Sequence, residues 1–472
     1  MRWLAAACCA LAITASTAAA RTAPSQLPSD SEILQMLTAR VDLQRRATGV
    51  VIGLTQPSGH HIVAYGTMGL DDKRPVNGDT VFDVGSITKV FTALLLSDMA
   101  QKHELALDDP AAKYLPSDRV TMPARNGRQI TLVDLATHTA GLPLRPTNLT
   151  STDPENKYAG YTIDDLYRFL TSFRLTRDPG SQYEYSNVGF SLLGQVLSAR
   201  TGESYSNLVR SCITGPLGMH DTLIGASDDM KRREAVGYDG DLKPVPHWDM
   251  GALESAGSLR STANDLLKLL DALLGFRKSD LSPAMTAMLA TRRPGGMEPA
   301  TEIALAWNIY RDGAREIAWK NGNVGGYRAF IGYDPAYKLG VVALTNAQTG
   351  SGADDIGLHL LDPKIPVDLQ VPGDRKEVAV SPAVLDRYVG VYRYSATDIL
   401  TVTREGDHLF GAEPGEDQIE LFAESPTDFF LKIEDAQVTF VDVQDGHTTK
   451  AIWHQGGQDQ IGTRVASPAA AN

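Results

Sequence analysis

Apolar residues at Ile33, Leu34, Leu37 and Val41 recur at helical spacing and predict a helix over 30–44. Two strand-like runs follow, Gly49–Thr55 and His61–Tyr65, and Pro57-Ser58-Gly59 between them predicts a hairpin. A longer stripe of Val90, Phe91, Leu94, Leu95 and Met99 predicts a helix running from near Ser86 toward Lys102. Residues 103–180 mix short helices with turn-rich loops, and helical patterns return at 188–200, 204–213 and 263–274. From about residue 304 the period shortens to that of strands: Ala304–Tyr310, Glu316–Trp319, Tyr327–Tyr333 and Gly340–Leu344, with a short helix over 353–361. A strand pair, many helices and then strands again imply a sheet assembled from both ends of the segment, with a helical insert between. That is an α+β (α/β sandwich) arrangement.

Four prolines, Pro363, Pro366, Pro372 and Pro382, mark 362–382 as a linker. Beyond it lie short strand-like segments at 388–393, 399–404, 407–411, 418–422, 427–433, 436–442 and 449–454. Their near-regular spacing predicts a small all-β meander or barrel over 383–472, frayed at Ser467–Asn472. At the other end, Met1-Arg2, an apolar stretch from Trp3 to Ala15 and Ala18-Ala19-Ala20 have the pattern of an export signal over 1–20, with the first domain then at 21–361. The stretch is shorter than the roughly 20 residues of a spanning helix, so no stable membrane anchor is expected and the protein is expected to be secreted, into a periplasm.

Composition narrows the classes. The 472 residues are 43% hydrophobic and 21% charged, as in globular proteins of more than one domain. Net charge is −13, which argues against a nucleic-acid partner. Removing the signal takes Cys8 and Cys9 with it and leaves Cys212 alone, so no internal disulfide is expected; flanked by apolar residues, Cys212 reads as a buried small hydrophobe. There is no Gly-x-Ser-x-Gly, no His-Glu-x-x-His, no Cys/His cluster and no P-loop, so nothing calls for a metal or cofactor.

Three elements carry candidate chemistry. Gly85-Ser86-Ile87-Thr88-Lys89 places a serine and a lysine on one face of a helix start. A lysine neutralised by burial can take the serine's proton, and the helix N-terminus favours a developing oxyanion. About one Ser-x-x-Lys is expected by chance in such a chain, so an ordinary helix start reads equally well. Tyr185-Ser186-Asn187 opens another apolar helix and supplies a proton-shuttling phenol and an amide. Tyr205-Ser206-Asn207 repeats the tripeptide inside a helix, where capping and surface exposure explain it. Trp319-Lys320-Asn321-Gly322-Asn323 joins two predicted strands. There Lys320 offers a carboxylate-binding cation and Gly322 room for a substrate backbone, or the segment is a glycine-rich hairpin with a solvated lysine.

Together, in this order, these elements resemble the serine penicillin-recognising enzymes, closest to class C β-lactamases and their DD-peptidase, D-aminopeptidase and esterase relatives. Ile130–Pro143 and Gly257–Asp265 carry the same resemblance. It implies a β-lactamase/transpeptidase-like domain, an antiparallel sheet flanked by helices. Its implied site has Ser86 as nucleophile, Lys89 and Tyr185 handling protons, and Asn187 on the substrate amide. Lys320 would bind a carboxylate, with Asn346 reaching the same group, and the N–H groups of Ser86 and Asn323 would form an oxyanion hole. In this family the stretch around His138 is a structural turn, against the alternative of a Ser-His-Asp triad. Asn321 departs from the usual Lys-Thr-Gly and removes a hydroxyl that would orient the carboxylate. The segment 385–464, opening on Tyr388-Val389-Gly390-Val391-Tyr392, resembles the lipocalin-like domain appended to some related peptidases. The implied activity is that of an exported serine hydrolase acting through a Ser86 acyl-enzyme. Its substrate would be a small molecule or peptide with a carboxylate, a β-lactam or a peptidoglycan-type D-amino-acid peptide. A carboxylesterase and a slowly deacylating penicillin-binding protein are the alternatives.

Overall fold

A computed structural model of the chain describes residues 27–153, 156–349, 352–369, 375–394, 398–413, 418–431, 436–444, 446–455 and 458–465. The expected export signal and the chain end from Ser467 lie outside them. Eight strands form one antiparallel sheet: β1 (Gly49–Gln56), β2 (Gly59–Gly66), β3 (Arg293–Pro294), β4 (Glu302–Ile303), β5 (Asn308–Asp312), β6 (Arg315–Val324), β7 (Tyr327–Asp334) and β8 (Leu339–Thr345). Their spatial order is β2-β1-β8-β7-β6-β5-β4-β3. The last strand therefore pairs with the first, Val50 opposite Thr345 and Thr55 opposite Gly340. This is the sheet built from both ends that the hydrophobic pattern implies.

The helices that matter for the site are α1 (Asp30–Thr38), α2 (Thr88–Gln101), α3 (Asn187–Thr201), α4 (Ala263–Leu274) and α5 (Asp354–Leu361). All seven residues of β8 are buried because both faces of the sheet are covered. Val341 and Ala343 pack with Ile33 and Leu37 of α1 and Ile356 and Leu360 of α5. Val342 and Leu344 face the larger core, with Leu94 of α2, Leu193 of α3 and Leu266 of α4.

Three expectations shift. The strand expected from Ala304 starts at Asn308, because Ala306 lies in the left-handed region (φ 66°) and turns the chain. The helix expected from Ser86 starts at Thr88, and Gly85–Ile87 form a tighter 3₁₀ turn ahead of it. The strand expected to end at Trp319 runs on to Val324, so Lys320–Asn323 lie inside β6 instead of in a connecting loop; the turn is Gly325-Gly326, with Gly326 at φ 83°.

The C-terminal strands close into an eight-stranded antiparallel barrel. Its eighth strand, Gln458–Val465, was not legible in the sequence. It pairs with Gly390–Arg393 (Val391 opposite Val465) and with His447–Gln455. Its inward row holds Gln460 and Gly462 opposite Trp453 and Ala451, while Ile461 faces solvent, so the apolar alternation that announces a strand is missing. The expected linker is not a free tether at its start: the Asp368 carboxylate pairs with Arg46 at 2.6 Å, and its carbonyl accepts from Gln44.

Candidate active site

Gly85 enters the 3₁₀ turn at φ 49°, and a Cβ there would sit 3.0 Å from the Asn323 nitrogen, so glycine is what lets the turn lie against β6. Ser86 follows in that turn, and Lys89 lies in the first turn of α2, completely buried. Lys89 Nζ is 2.9 Å from Ser86 Oγ, 2.8 Å from Asn187 Oδ1 and 2.7 Å from the Ala256 carbonyl. Burial, and then the neighbouring Lys320 ammonium, hold the Lys89 amine well below the usual lysine range. A neutral amine has two hydrogens and a lone pair. Asn187 Oδ1 and the Ala256 carbonyl accept the two hydrogens, and the lone pair is left facing the Ser86 hydroxyl.

Tyr185 donates its hydroxyl hydrogen bond to Ser86 Oγ at 2.6 Å. Ser186, the N-cap of α3, accepts from the Gly189 N–H and thereby fixes where Tyr185 leaves the loop and Asn187 enters the helix. The ring of Tyr185 lies between two amines, Lys89 at 4.8 Å and Lys320 at 4.7 Å from its centroid. The arrangement can take a proton from Ser86, hold it, and hand one back to a leaving group. His138 packs its ring 4.4 Å from that of Tyr185 and accepts from the Ser186 N–H through Nδ1. With that nitrogen committed and burial keeping the ring neutral, His138 has no free acceptor for the serine proton, which argues against a triad.

The other expected residues separate. Asn323 and Asn187 line the cleft with Ser86. Lys320 is 1% exposed, lies behind Tyr185, and is held at about 7 by burial, against the opposing pull of Asp354. Gly322 is tight against the protein itself: a Cβ there would meet the Val84 carbonyl at 2.0 Å and the Ser86 nitrogen at 3.0 Å. Its missing side chain admits the turn that carries Ser86, where the sequence suggested a substrate backbone. Asn346 is not brought to the cleft. It is fully buried, accepting from the Gly49 N–H at 2.9 Å and donating to Thr48 Oγ1 at 2.6 Å and the Val236 carbonyl at 3.0 Å, so its amide ties β1 to β8 and its surroundings. Asn321 donates to the buried Asp354 at 2.8 Å. The second tripeptide opens a short helix capped by Ser204, with Asn207 exposed as expected, but Tyr205 is buried, its hydroxyl 2.7 Å from Thr92 Oγ1 of α2.

Two site features had no local signal in the sequence. One is the Ala256 carbonyl, a backbone group whose partner is set by tertiary packing. The other is Arg328, which lines the cleft, donates to the Thr349 carbonyl at 2.8 Å and stands 3.7 Å from Asp354.

Just before the turn that carries Ser86, Asp83 converges with Glu234 and His247 closely enough to suggest a metal site. Arg260 occupies that role instead, bridging Asp83 at 2.9 Å and Glu234 at 2.8 Å, while His247 reaches Asp83 at 2.8 Å and Glu234 at 3.3 Å. Two cations against two carboxylates leave no charge for a further ion. Burial alone would lower the His247 pKa; its bonds to the two carboxylates outweigh that and raise it to about 9. The stability it contributes is complete below the ordinary histidine value and is lost as pH rises toward 9. The unfolding free energy of the wild type, measured by denaturant titration, should therefore fall between pH 7 and pH 9 by on the order of 1–2 kcal/mol more than that of His247→Asn. Parallel pH profiles of the two proteins would remove this account.

Comparison with known proteins follows the same division. Residues 33–364 match the family described as Beta-lactamase, and residues 374–464 match a domain of unknown function, DUF3471. The D-alanyl-D-alanine-carboxypeptidase/endopeptidase AmpH of Escherichia coli K12 is 28% identical over 350 residues, covering 70% of this chain and 87% of AmpH. A class C beta lactamase from Rhodobacter sphaeroides superposes with a TM-score of 0.60 at 26% identity, over 70% of this chain and 98% of that one. The octameric penicillin-binding protein homologue from Pyrococcus abyssi shares the fold across both domains, with a TM-score of 0.62 over 92% of this chain and 99% of its own, at 22% identity. Among the described residues no helix is long and apolar enough to cross a membrane.

Proposed function

The chain belongs to the beta-lactamase family and is a serine hydrolase, and from that premise we propose that it forms an acyl-enzyme on Ser86 with D-amino-acid peptides or β-lactams that carry a carboxylate. The observation that carries this reading is the pair of contacts on one oxygen, Lys89 Nζ at 2.9 Å and Tyr185 OH at 2.6 Å from Ser86 Oγ. Lys89 accepts the Ser86 proton as Oγ bonds to the substrate's carbonyl carbon. The N–H groups of Ser86 and Asn323 receive the oxyanion, and donors of this kind contribute about 3 kcal/mol each. Tyr185 delivers a proton to the departing nitrogen or oxygen, and water later releases the acid. Asn187, its Oδ1 held by Lys89, presents its amide to the substrate. Export through the N-terminal segment to a periplasm is part of the proposal. Intact mass after incubation with a labelled penicillin tests it: one adduct is expected, absent in Ser86→Ala, and an adduct that survives the substitution rejects Ser86.

Preference for a carboxylate rests on Lys320, aided by Arg328. Because Lys320 titrates near 7, its charge fades across the neutral range. The kcat/KM ratio of a D-Ala-D-Ala-type peptide to a neutral ester should fall several-fold from roughly pH 6 to roughly pH 8, and Lys320→Met should flatten that dependence. A ratio indifferent to pH in both proteins favours the second reading, a carboxylesterase on the same machinery. The burial of Lys320 behind Tyr185 is the observation that speaks for it.

A further inference from the structure

The cleft above Ser86, about 790 Å³, does not end within the catalytic domain. Its walls include Leu400, Gly411, Ile419, Leu421, Leu431 and Trp453 of the C-terminal barrel. These are inward-facing positions. Gly411 stands opposite Val402 and Ile419, and Trp453 opposite Val438 of the barrel core. One space therefore touches both the nucleophile and the barrel lumen. Beyond these residues the barrel interior is filled, with Tyr388 stacked on Phe440 at 4.4 Å and Phe429 edge-on to both. A space walled on one side by these apolar barrel residues and reaching Ser86 on the other is a place for part of a substrate.

The chemistry of the mouth is specific. Gly411 is closely covered: a Cβ there would lie 3.0 Å from Leu400 Cδ1 and 3.5 Å from Leu421 Cδ1, so a larger residue would push these two leucines toward the space they line. Tyr394 lines the mouth, and its buried hydroxyl has no hydrogen-bond partner among the described residues, which suits the carbonyl of an ester or amide.

We propose that the barrel lumen is a subsite of the Ser86 active site and receives an uncharged alkyl or aryl group of the substrate, so that the enzyme selects substrates bearing a long apolar substituent. This rests on the Ser86 reading and adds a substrate class to it.

Two homologous ester series test it on the full chain, one lengthened in the acid part from acetyl to decanoyl, the other lengthened equally in the alcohol part. In one series kcat/KM should climb about three- to fourfold per methylene until the lumen is filled. Gly411→Leu should flatten that climb, read within each protein as the ratio of kcat/KM for the longer esters to that for the acetyl ester. Trp453→Ala, which enlarges the lumen and does not depend on Gly411→Leu folding, should move the optimum to longer chains. Flat profiles in both series for the wild type, or wild-type slopes in folded variants of both kinds, overturn the subsite while leaving acylation of Ser86 intact. Failure of every ester together with absence of a Ser86 adduct removes the subsite along with the reading beneath it.

Discussion

Replacing Lys89 with methionine should slow acylation of Ser86 by about 10³- to 10⁴-fold, with the thermal midpoint within a few degrees of wild type. The amine is completely buried, and its desolvation already offsets much of what its hydrogen bonds contribute, so an apolar chain of similar length is tolerated. What methionine removes is the lone pair facing Ser86 Oγ. Lys89→Arg separates this role from a purely electrostatic one. Arginine keeps donors and a permanent charge but accepts no proton near neutrality, so it should be as inactive as methionine. The measurement is the rate of adduct formation under single turnover. An arginine variant retaining a tenth of the wild-type rate would transfer the base role to Tyr185, whose hydroxyl stands 2.6 Å from the same oxygen.

The second large effect is expected at a residue that touches no reacting atom. Gly322→Ala should reduce acylation by about 10²-fold or more, because the added Cβ would fall 2.0 Å from the Val84 carbonyl and 3.0 Å from the Ser86 nitrogen. Those are backbone atoms of the turn that carries the nucleophile, not the tip of a flexible side chain, so β6 and the turn must move apart. The displaced nitrogen is one of the two oxyanion donors proposed above, and the other proposed donor, that of Asn323, follows Gly322 in β6. Overpacking of this kind costs about 1–3 kcal/mol in stability, so a lower thermal midpoint should accompany the lost rate. If Gly322→Ala acylates at the wild-type rate, Gly322 is not what seats the turn.

Much of this was open to reading along the chain. The apolar runs of β1, β7 and β8 announce themselves because both faces of the sheet are covered, and Ser86 and Lys89 share a face through the three-residue spacing of a helix. Two assignments misread what was local. Lys320–Asn323 looked like a turn because glycine and asparagine interrupt the apolar pattern, yet Gly322 is demanded by a neighbour in space. Asn346 looked like a ligand because it ends a strand near the motif, yet its amide is consumed by β1 and adjoining backbone.

The order of the motifs, the sheet made from both ends of its domain and the existence of a second, all-β domain follow from the sequence alone, since helical and strand periods are short-range consequences of backbone geometry. Only the tertiary structure brought Tyr185 within hydrogen-bond reach of Ser86, across 99 positions, and decided which carbonyl holds the lysine, across 167. It also decided that one cleft is lined both by Ser86 and by residues of the barrel. Contacts between segments so far apart depend on sheet register and on how whole layers pack. No period or spacing within one segment records either.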